Sequence, residues 1–233
     1  MDKRKPEMNF HRQLDFFNPQ DYEDVQVEIF GAGGVGSFVA VTLAKLGMKK
    51  IKVWDADTVE DHNLPNQFHP MGSVGKSKVE ACRDTCREMA GAEIETVNEF
   101  WTPEKGITGN IVISAVDSMA EVEGRSGRKE LWDAVKMNMG VRLFIDARLG
   151  GESFRILSIR PVNDCMKYGW YERTLVPNEK MAEVPCTARS IIDVGFMVGA
   201  IITRQVRVFL KAGKVDYDVL ASMADLSLMK MEV

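Results

Sequence analysis

Cysteine, histidine and long apolar runs are scarce in this chain, and each scarcity argues against a class of protein. The four cysteines have no paired spacing, which favours reduced thiols in a cytoplasm over a disulfide framework. The three histidines, His11, His62 and His69, do not have the spacing of zinc ligands. The longest apolar run, Ile191 to Thr203, is too short to span a bilayer and is interrupted by Asp193. We therefore expect a cytoplasmic protein without a membrane span.

Charge and low-complexity sequence are equally limited. The net charge of −4 gives no general reason to expect nucleic acid or an anionic membrane as a partner. Met1 to Phe10 is basic, but no apolar core follows it, so we do not expect a signal peptide. There is no internal repeat. The 233 residues suffice for one large α/β domain, or for one domain with an appendage.

A glycine-rich turn joins a predicted strand to a predicted helix. Val25 to Phe30 is typical of a short strand, and Ser37 to Leu46 of a helix that Gly47 ends. The turn between them contains Gly31, Gly33, Gly34 and Gly36. Glycine lets the backbone approach an anion, and a helix N-terminus offers unpaired N–H groups and a partial positive charge. The turn is therefore predicted to bind phosphate.

An acid follows the next predicted strand. Lys50 to Trp54 is the strand and Asp55 comes directly after it, where a βαβ nucleotide site places a carboxylate against the ribose. The glycines do not define the nucleotide, because the same pattern fits an NAD-binding domain. An NAD-dependent oxidoreductase is therefore one alternative for the function.

The remaining pattern predicts an open α/β sheet. Asn110 to Val116 is a continuous apolar run, typical of a parallel strand covered on both faces, and it carries Asp117 to the strand's carboxyl end. The long helix from Ile191 to Lys211 is apolar nearly all round at its start, so we expect it to be buried. The other elements are a helix over Lys76 to Ala90, a helix over Ala120 to Met137 that is broken near Gly124 and Gly127, strands over Glu93 to Val97 and Val141 to Ala147, an antiparallel strand over Ser153 to Arg160, and edge strands within Val215 to Val233. The predicted fold is a doubly wound, mostly parallel, Rossmann-like sheet with a C-terminal antiparallel extension.

The loop after the second strand carries a more specific pattern. Ala56 to Gly75 is long for a loop inside a compact domain, which usually means that it is functional. The run from Asp55 to Gln67 resembles the motif D-x-D-x-V-x-x-x-N-L-x-R-Q of the ThiF/MoeB/HesA family of ubiquitin-activating-like adenylyltransferases. Further matches to the family are Lys78, Asp117, the pair Arg12-Gln13, and Cys186-Thr187-Ala188-Arg189 before the long helix.

The resemblance implies ATP-dependent adenylation of the C-terminal carboxylate of a ubiquitin-like or sulfur-carrier protein. It also implies a homodimer in which Arg12 reaches the phosphates of the neighbouring subunit's ATP. Asp117 would hold Mg²⁺, and Asp55 would bind the ribose. The remaining nucleotide contacts would come from the four glycines, Asn63, Asn66, Gln67, Lys78 and Asp57, although Asp57 could also bind metal or cap the turn, and Lys78 could be a solvated helix lysine. A carboxylate is already ionised at neutral pH, so catalysis would consist of positioning and charge neutralisation.

We divide the chain accordingly. Residues 1–24 form a lead-in segment, 25–160 an ATP-binding Rossmann-like domain, and 161–233 the rest of the same adenylation domain. The last part contains a crossover loop, Pro161 to Pro185, that we expect to be mobile, followed by the long helix and the C-terminal strands.

The chain departs from the family pattern at three points. Asn66 replaces the family arginine and removes one phosphate-binding charge, for which Lys76 or His69 could compensate. Cys165 is all that remains of the first C-x-x-C pair of the family's zinc site, so no structural zinc is expected. Ser118 to Arg128 lacks the usual asparagine and carries extra residues.

Cys186 could act after adenylation. It follows Pro185 and precedes a predicted helix start, with Arg189 one turn on, and both features favour the thiolate. A thioester or disulfide-linked adduct with the acceptor is one hypothesis, and a structural cysteine is the other.

Two further functions are left open. One is activation of a carboxylate on a peptide or on modified tRNA, and the lack of a basic patch argues weakly against tRNA. The other is a non-catalytic member of the fold, which Asn66 keeps possible.

Overall fold

An eight-stranded mixed sheet forms the centre of the fold. The computed structural model describes residues 7–119, 121, 124–175 and 191–233. Within these ranges the strands are β1 (Gln26–Phe30), β2 (Lys50–Trp54), β3 (Glu95–Val97), β4 (Ile111–Ser114), β5 (Leu143–Gly150), β6 (Ser153–Ile159), β7 (Asp218–Ser222) and β8 (Ser227–Met231). The helices are α1 (Gly36–Leu46), α2 (Lys78–Ala90), α3 (Arg128–Lys136), α4 (Tyr168–Glu172) and α5 (Ile192–Ala212).

The order of the strands creates a topological switch point. The sheet runs β3-β2-β1-β4-β5-β6-β7-β8, and the first five of these strands are parallel. The last three are antiparallel. Because β2 and β4 lie on opposite sides of β1, the chain connections from β1 to its two neighbours run toward opposite edges of the sheet. Open sheets bind ligands at the carboxyl ends of the strands at such a point. The predicted doubly wound sheet with an antiparallel C-terminal extension is confirmed.

Helices cover both faces of the sheet because successive strand residues point to opposite sides. Val27 and Ile29 belong to the core that includes side chains of α1, α2 and α5. Phe30 and Val112 belong to a second core with side chains of α3 and α4, among them Trp132. The carboxyl ends of the parallel strands are thus held between two packed layers.

Helix α2 has a capping residue at each end. The Ser77 hydroxyl accepts a hydrogen bond from the Glu80 backbone N–H, and Gly91 ends the helix with φ of 62°. The helix predicted over Ala120 to Met137 was expected to break near Gly124 and Gly127, and among its described residues only α3, which begins directly after Gly127, is helical. Gly124 has φ of 79°, which an α-helix does not allow.

Two features of the C-terminal part refine the predictions, and residues 176–185 of the predicted crossover loop lie outside the described residues. The start of α5 is buried on one side only: Gly195 packs so closely on α1 that an added Cβ would lie 2.4 Å from the Phe38 ring, whereas Phe196 is 50% exposed. Pro161 to Pro185 is not simply a crossover loop, since its described part contains a short 3-10 helix, Cys165–Lys167, and α4. None of the described helices is both long and apolar enough to cross a membrane.

Candidate functional site

A cavity of about 950 Å³ opens at the carboxyl ends of the parallel strands. Its lining includes most of the predicted site residues: Gly31, Gly33, Gly34, Asp55, Asp57, Asn63, Asn66, Gln67, Lys78 and Asp117. The loop ends of β1, β2, β4 and β5 therefore converge on one space, as the switch point requires.

The glycines of the first loop have two different roles. Gly31 has φ of 102°, and a Cβ there would lie 2.6 Å from the Ala115 carbonyl oxygen. A Cβ at Gly36 would lie 1.8 Å from the Gly31 carbonyl oxygen, so both positions require glycine for the path of the chain. A Cβ at Gly33 or Gly34 would have no neighbour closer than 3.5 Å. These two glycines instead keep one wall of the cavity free of side chains.

The first turn of α1 has no side-chain cap among the described residues. The nearby Ser37 hydroxyl donates to the Gly33 carbonyl oxygen at 2.6 Å and accepts from the Phe68 N–H at 2.9 Å, which ties the long loop to the helix. An uncapped N-terminus beside a glycine wall is suited to an anion, because its N–H groups and its partial positive charge both favour negative charge.

Asp55 connects the second strand to the glycine loop. It is only 8% exposed; its Oδ2 accepts from the Ala32 N–H at 2.7 Å and its Oδ1 from the Asp57 N–H at 2.8 Å. Burial raises the pKa of Asp55, against the opposing effects of the Lys78 charge and the two backbone donors. Each carboxylate oxygen can accept a second hydrogen bond, so the predicted bond to a ribose is compatible with this arrangement.

Lys78 is a buried cation of the cavity wall rather than a solvated helix lysine. It is 9% exposed, and its Nζ lies 2.9 Å from Asp57 Oδ2. The other oxygen of Asp57 faces Arg125, whose Nη2 is 3.6 Å away. Asp57 therefore holds two cations at the edge of the cavity, one from α2 and one from the segment before α3.

The turn after the short 3-10 helix Asp61–Asn63 brings three amides to the cavity. Asn63 Oδ1 accepts from the Glu60 N–H at 3.0 Å, closing this helical turn. The amide oxygens of Asn66 and Gln67 are buried and have no hydrogen-bond partner among the described residues. An unpaired buried polar group is costly, and both side chains line the cavity, so they are placed to bind a polar ligand.

An aromatic wall completes the cavity and was not predicted from the sequence. It is formed by Trp54, Phe100 and Trp101, with the Trp101 ring edge-on to Phe30 at 5.4 Å between centroids. Aromatic faces of this kind stack on nucleobases. The available signal was the position of these residues, directly at or after the ends of two predicted strands.

The two residues expected to compensate for Asn66 do not line the cavity. His69 is buried with Nε2 3.0 Å from the Ala32 carbonyl oxygen, and burial lowers its pKa to about 4, so the ring is neutral at pH 7. Lys76 pairs with Asp84 on the surface at 3.0 Å. Neither therefore supplies the missing charge in this arrangement.

Arg12 lies far from the glycine loop of its own chain. It is exposed on the 3-10 helix His11–Gln13, and the Gln13 side-chain amide donates to the Leu46 carbonyl oxygen at 2.9 Å. Leu46 ends α1, and an 11-residue helix is roughly 16 Å long. A role for Arg12 at a nucleotide would thus have to be in another subunit. Cys186 lies outside the described residues.

Metal ligands are few in the part of the chain that is described, where no three His, Cys, Asp or Glu side chains are grouped to hold an ion. Cys165 is exposed, and a tetrahedral zinc site needs four ligands. We predict that elemental analysis of the purified protein will find zinc well below one atom per chain. Stoichiometric zinc that resists dialysis against a chelator would contradict this prediction.

Comparison with known proteins identifies relatives of this arrangement. The chain is 44% identical over 69 residues to ubiquitin-like modifier-activating enzyme 5 of Caenorhabditis briggsae, covering 28% of this chain and 16% of that protein. It is 42% identical over 82 residues to tRNA threonylcarbamoyladenosine dehydratase 2 of Saccharomyces cerevisiae, covering 34% and 18%. A longer match, 26% identical over 221 residues, covers 85% of this chain and 56% of the Dictyostelium discoideum activating enzyme 5. The chain thus spans little more than half the length of these relatives at most.

Solved structures share the fold. PaaA superposes with a TM-score of 0.72 at 20% identity, over 92% of this chain and 66% of PaaA. Escherichia coli MccB, solved with ATP, superposes with a TM-score of 0.68 at 16% identity, over 92% of this chain and 65% of MccB. The sequence profile of the ThiF family matches residues 10–231, which is nearly the whole chain, and this chain therefore belongs to the ThiF family.

Proposed function

We propose that this protein uses ATP to adenylate the C-terminal carboxylate of a ubiquitin-like or sulfur-carrier protein. The observation that carries the proposal is that one cavity is lined both by a buried cation, Lys78, and by backbone without side chains at Gly33 and Gly34. A polyanion needs such a combination of positive charge and accessible backbone. Asn66 and Gln67 also line the cavity, and the NH2 group of each side-chain amide can donate to a phosphate oxygen.

The proposed reaction needs positioning more than proton transfer. A carboxylate oxygen of the acceptor attacks the α-phosphorus of ATP, the new P–O bond forms, and the bond to the departing pyrophosphate breaks. No proton moves, because the carboxylate is already ionised at neutral pH. The glycine loop would hold phosphate oxygens, Asp55 the ribose, and Trp54 and Phe100 the base.

Asp117 is the residue that we assign to Mg²⁺. Proteins usually hold this ion with one or two carboxylates and leave its other positions to substrate phosphates and water. Asp117 is exposed and lines the cavity, so one carboxylate from the chain fits this rule. When bound, the ion neutralises charge on the phosphate oxygens.

Titration calorimetry with ATP-Mg and with NAD tests the proposal against an oxidoreductase. We expect binding of ATP-Mg and none of NAD, and then pyrophosphate exchange once the acceptor is added. The acceptor can be sought by co-purification and mass spectrometry. Relatives carry names that point to ubiquitin-like modifiers and to tRNA, and MccB has been solved with the peptide MccA, so a peptide or a modified tRNA is the alternative acceptor. Binding of NAD without ATP would contradict adenylation.

We further propose a homodimer in which Arg12 acts across the interface. Its segment is anchored at the end of α1 remote from the glycine loop, so Arg12 would serve the partner's site. We expect Arg12→Ala and Asp117→Ala each to be inactive alone. An equal mixture should recover up to about a quarter of the wild-type activity, because about half of the dimers are heterodimers and each heterodimer has one intact site of two. Exchange assays on remixed subunits measure this. A monomer in sedimentation, or no recovery, would count against it.

The covalent role of Cys186 stays a prediction. If it captures the activated acceptor, a reductant-sensitive adduct should appear on a gel in the wild type and vanish in Cys186→Ala. Pyrophosphate exchange should survive that substitution, because the thiol acts after adenylation. An adduct that persists in Cys186→Ala, or that never forms in the wild type, would make this cysteine structural.

A further inference from the structure

We propose that Arg125 binds the β- and γ-phosphates of ATP and supplies the positive charge that Asn66 does not. The inference rests on the proposed adenylation function and adds a residue from the segment that departs most from the family pattern. Three observations support it: which cations line the cavity, which of them are already paired with buried or neighbouring carboxylates, and how weak the contacts of Arg125 with Asp57 and Phe100 are.

The first step concerns the available cations. Lysine and arginine side chains that line the cavity, in the part of the chain that is described, are Lys78, Arg125, Arg128 and Arg148. Arg128 and Arg148 are both bonded to the buried carboxylate of Asp146, at 2.9 and 2.8 Å. Lys78 is buried against Asp57. Arg125, whose side chain is 49% exposed, is the cation of this group that can most easily turn toward a ligand.

The second step concerns the resting contacts of Arg125. Its guanidinium lies 4.0 Å above the Phe100 ring, and its Nη2 is 3.6 Å from Asp57 Oδ1, which is too long for a hydrogen bond. Both contacts are partly exposed, and exposed ion pairs are weak. Leaving Asp57 for a phosphate therefore costs the arginine little, while a guanidinium binds phosphate oxygens with two parallel hydrogen bonds.

The third step places Arg125 near the phosphate loop. Asp57, its resting partner, donates its N–H to Asp55 at 2.8 Å, and the same Asp55 carboxylate holds the Ala32 N–H at 2.7 Å. One carboxylate thus separates Asp57 from the glycine loop. Lys78 and Arg125 both contact Asp57, so two cations converge beside the place where an anion is expected.

The segment that carries Arg125 is closed at its base. The Arg128 and Lys129 N–H groups donate to the carbonyl oxygens of Ser118 and Met119, at 3.1 and 2.9 Å. The two ends of this segment are therefore joined by hydrogen bonds. Asp117 and Arg125 both line the cavity.

The experiment compares ATP-Mg with AMP. Calorimetry on Arg125→Ala should show ATP-Mg binding roughly ten- to a hundredfold weaker than in the wild type, the size of a charge-assisted hydrogen-bond loss. AMP has no β- or γ-phosphate, so its affinity should change by less than about threefold. Arg125→Lys keeps the charge and should recover part of the loss. Arg87→Ala is the control, because Arg87 pairs with Glu93 on the exposed side of α2.

Each other outcome overturns the inference. Unchanged ATP-Mg affinity in Arg125→Ala would show that the arginine does not touch the phosphates. Equal losses of affinity for ATP-Mg and AMP would show that Arg125 contacts the base or only supports Phe100. In both cases the wild type still binds ATP-Mg, so the proposed function stands. If the wild type does not bind ATP-Mg, the proposed function is wrong, and this inference is wrong with it.

Discussion

Replacing Asp117 with alanine is expected to abolish pyrophosphate exchange and leave the fold intact. Asp117 follows β4, is exposed and lines the cavity, so removing its carboxylate takes no buried group from either core. If this carboxylate anchors Mg²⁺, its loss removes charge neutralisation worth several kcal/mol in the transition state, which corresponds to at least about a thousandfold in rate. Exchange assays with the acceptor measure the rate, and calorimetry measures the Mg²⁺-dependence of ATP binding.

Asp61 provides the matched control for Asp117. Its side chain is 93% exposed on the neighbouring 3-10 helix, and it is not among the cavity's lining residues. Asp61→Ala should retain wild-type exchange. Full Mg²⁺-dependent exchange in Asp117→Ala, with an unchanged melting curve, would remove Asp117 from the metal site.

Replacing Asp146 with asparagine is expected to destabilise the protein by about 3–5 kcal/mol, the cost of removing one partner from a buried ion pair. Asp146 is fully buried near the middle of β5. Its Oδ1 accepts from Arg128 at 2.9 Å, and its Oδ2 accepts from Arg148 at 2.8 Å and from the Tyr171 hydroxyl at 3.0 Å. Asparagine keeps the shape but leaves two largely buried guanidinium groups without their counter-charge. Urea unfolding monitored by circular dichroism gives the change in the free energy of unfolding.

The effect of Asp146 should depend on pH in a defined direction. Burial by itself would raise its pKa, but Arg128 and Arg148 outweigh burial and hold the pKa below its ordinary value. A carboxyl with a lowered folded pKa contributes its stability above the unfolded pKa, about 3.9, and loses it as pH falls through the folded pKa. The stability difference between the wild type and Asp146→Asn should therefore be constant near neutral pH and shrink below about pH 4.

The control for Asp146 is a surface ion pair. Asp84 pairs with Lys76 and Arg87 on the outer side of α2, and Asp84→Asn should cost about 1 kcal/mol or less. A loss of similar size in Asp146→Asn would mean that the buried network is not what stabilises this end of the sheet. Loss of ATP binding without loss of stability would also contradict the structural role.

The sequence predicted most of the sheet because the relevant signals are local. The apolar runs of β1, β2 and β4 lie within a few residues of their predicted bounds, and the glycines between β1 and α1 mark a turn by their own conformational needs. The start of α5 was different. Its apolar residues suit a helix packed on all sides. In the structure Val194 and Val198 are buried, whereas Ile192 and Phe196 are 37% and 50% exposed. The amino-acid composition does not show which side of the helix will be covered.

The site residues could be predicted where they belong to one continuous sequence motif. Asp55, Asn63 and Lys78 follow one strand and one loop, and all three line the cavity, although their roles await experiment. Arg125 was not predictable, because its contacts with Asp57 and Phe100 depend on how separate loops meet above the sheet. The pairing of Arg128 and Arg148 around Asp146 was missed for the same reason: no spacing rule connects a helix start to a strand end.

The double hydrogen bonding of Asp55 has a consequence for redesign. A side chain that selects the sugar of a nucleotide would ordinarily be the first position to randomise when a different nucleotide is wanted. Here the same carboxylate fixes the backbone of Ala32 and of Asp57, so substitution at position 55 also deforms the phosphate loop. Libraries for altered nucleotide preference should therefore keep Asp55 and vary Phe100, a half-buried residue of the aromatic wall that lines the cavity.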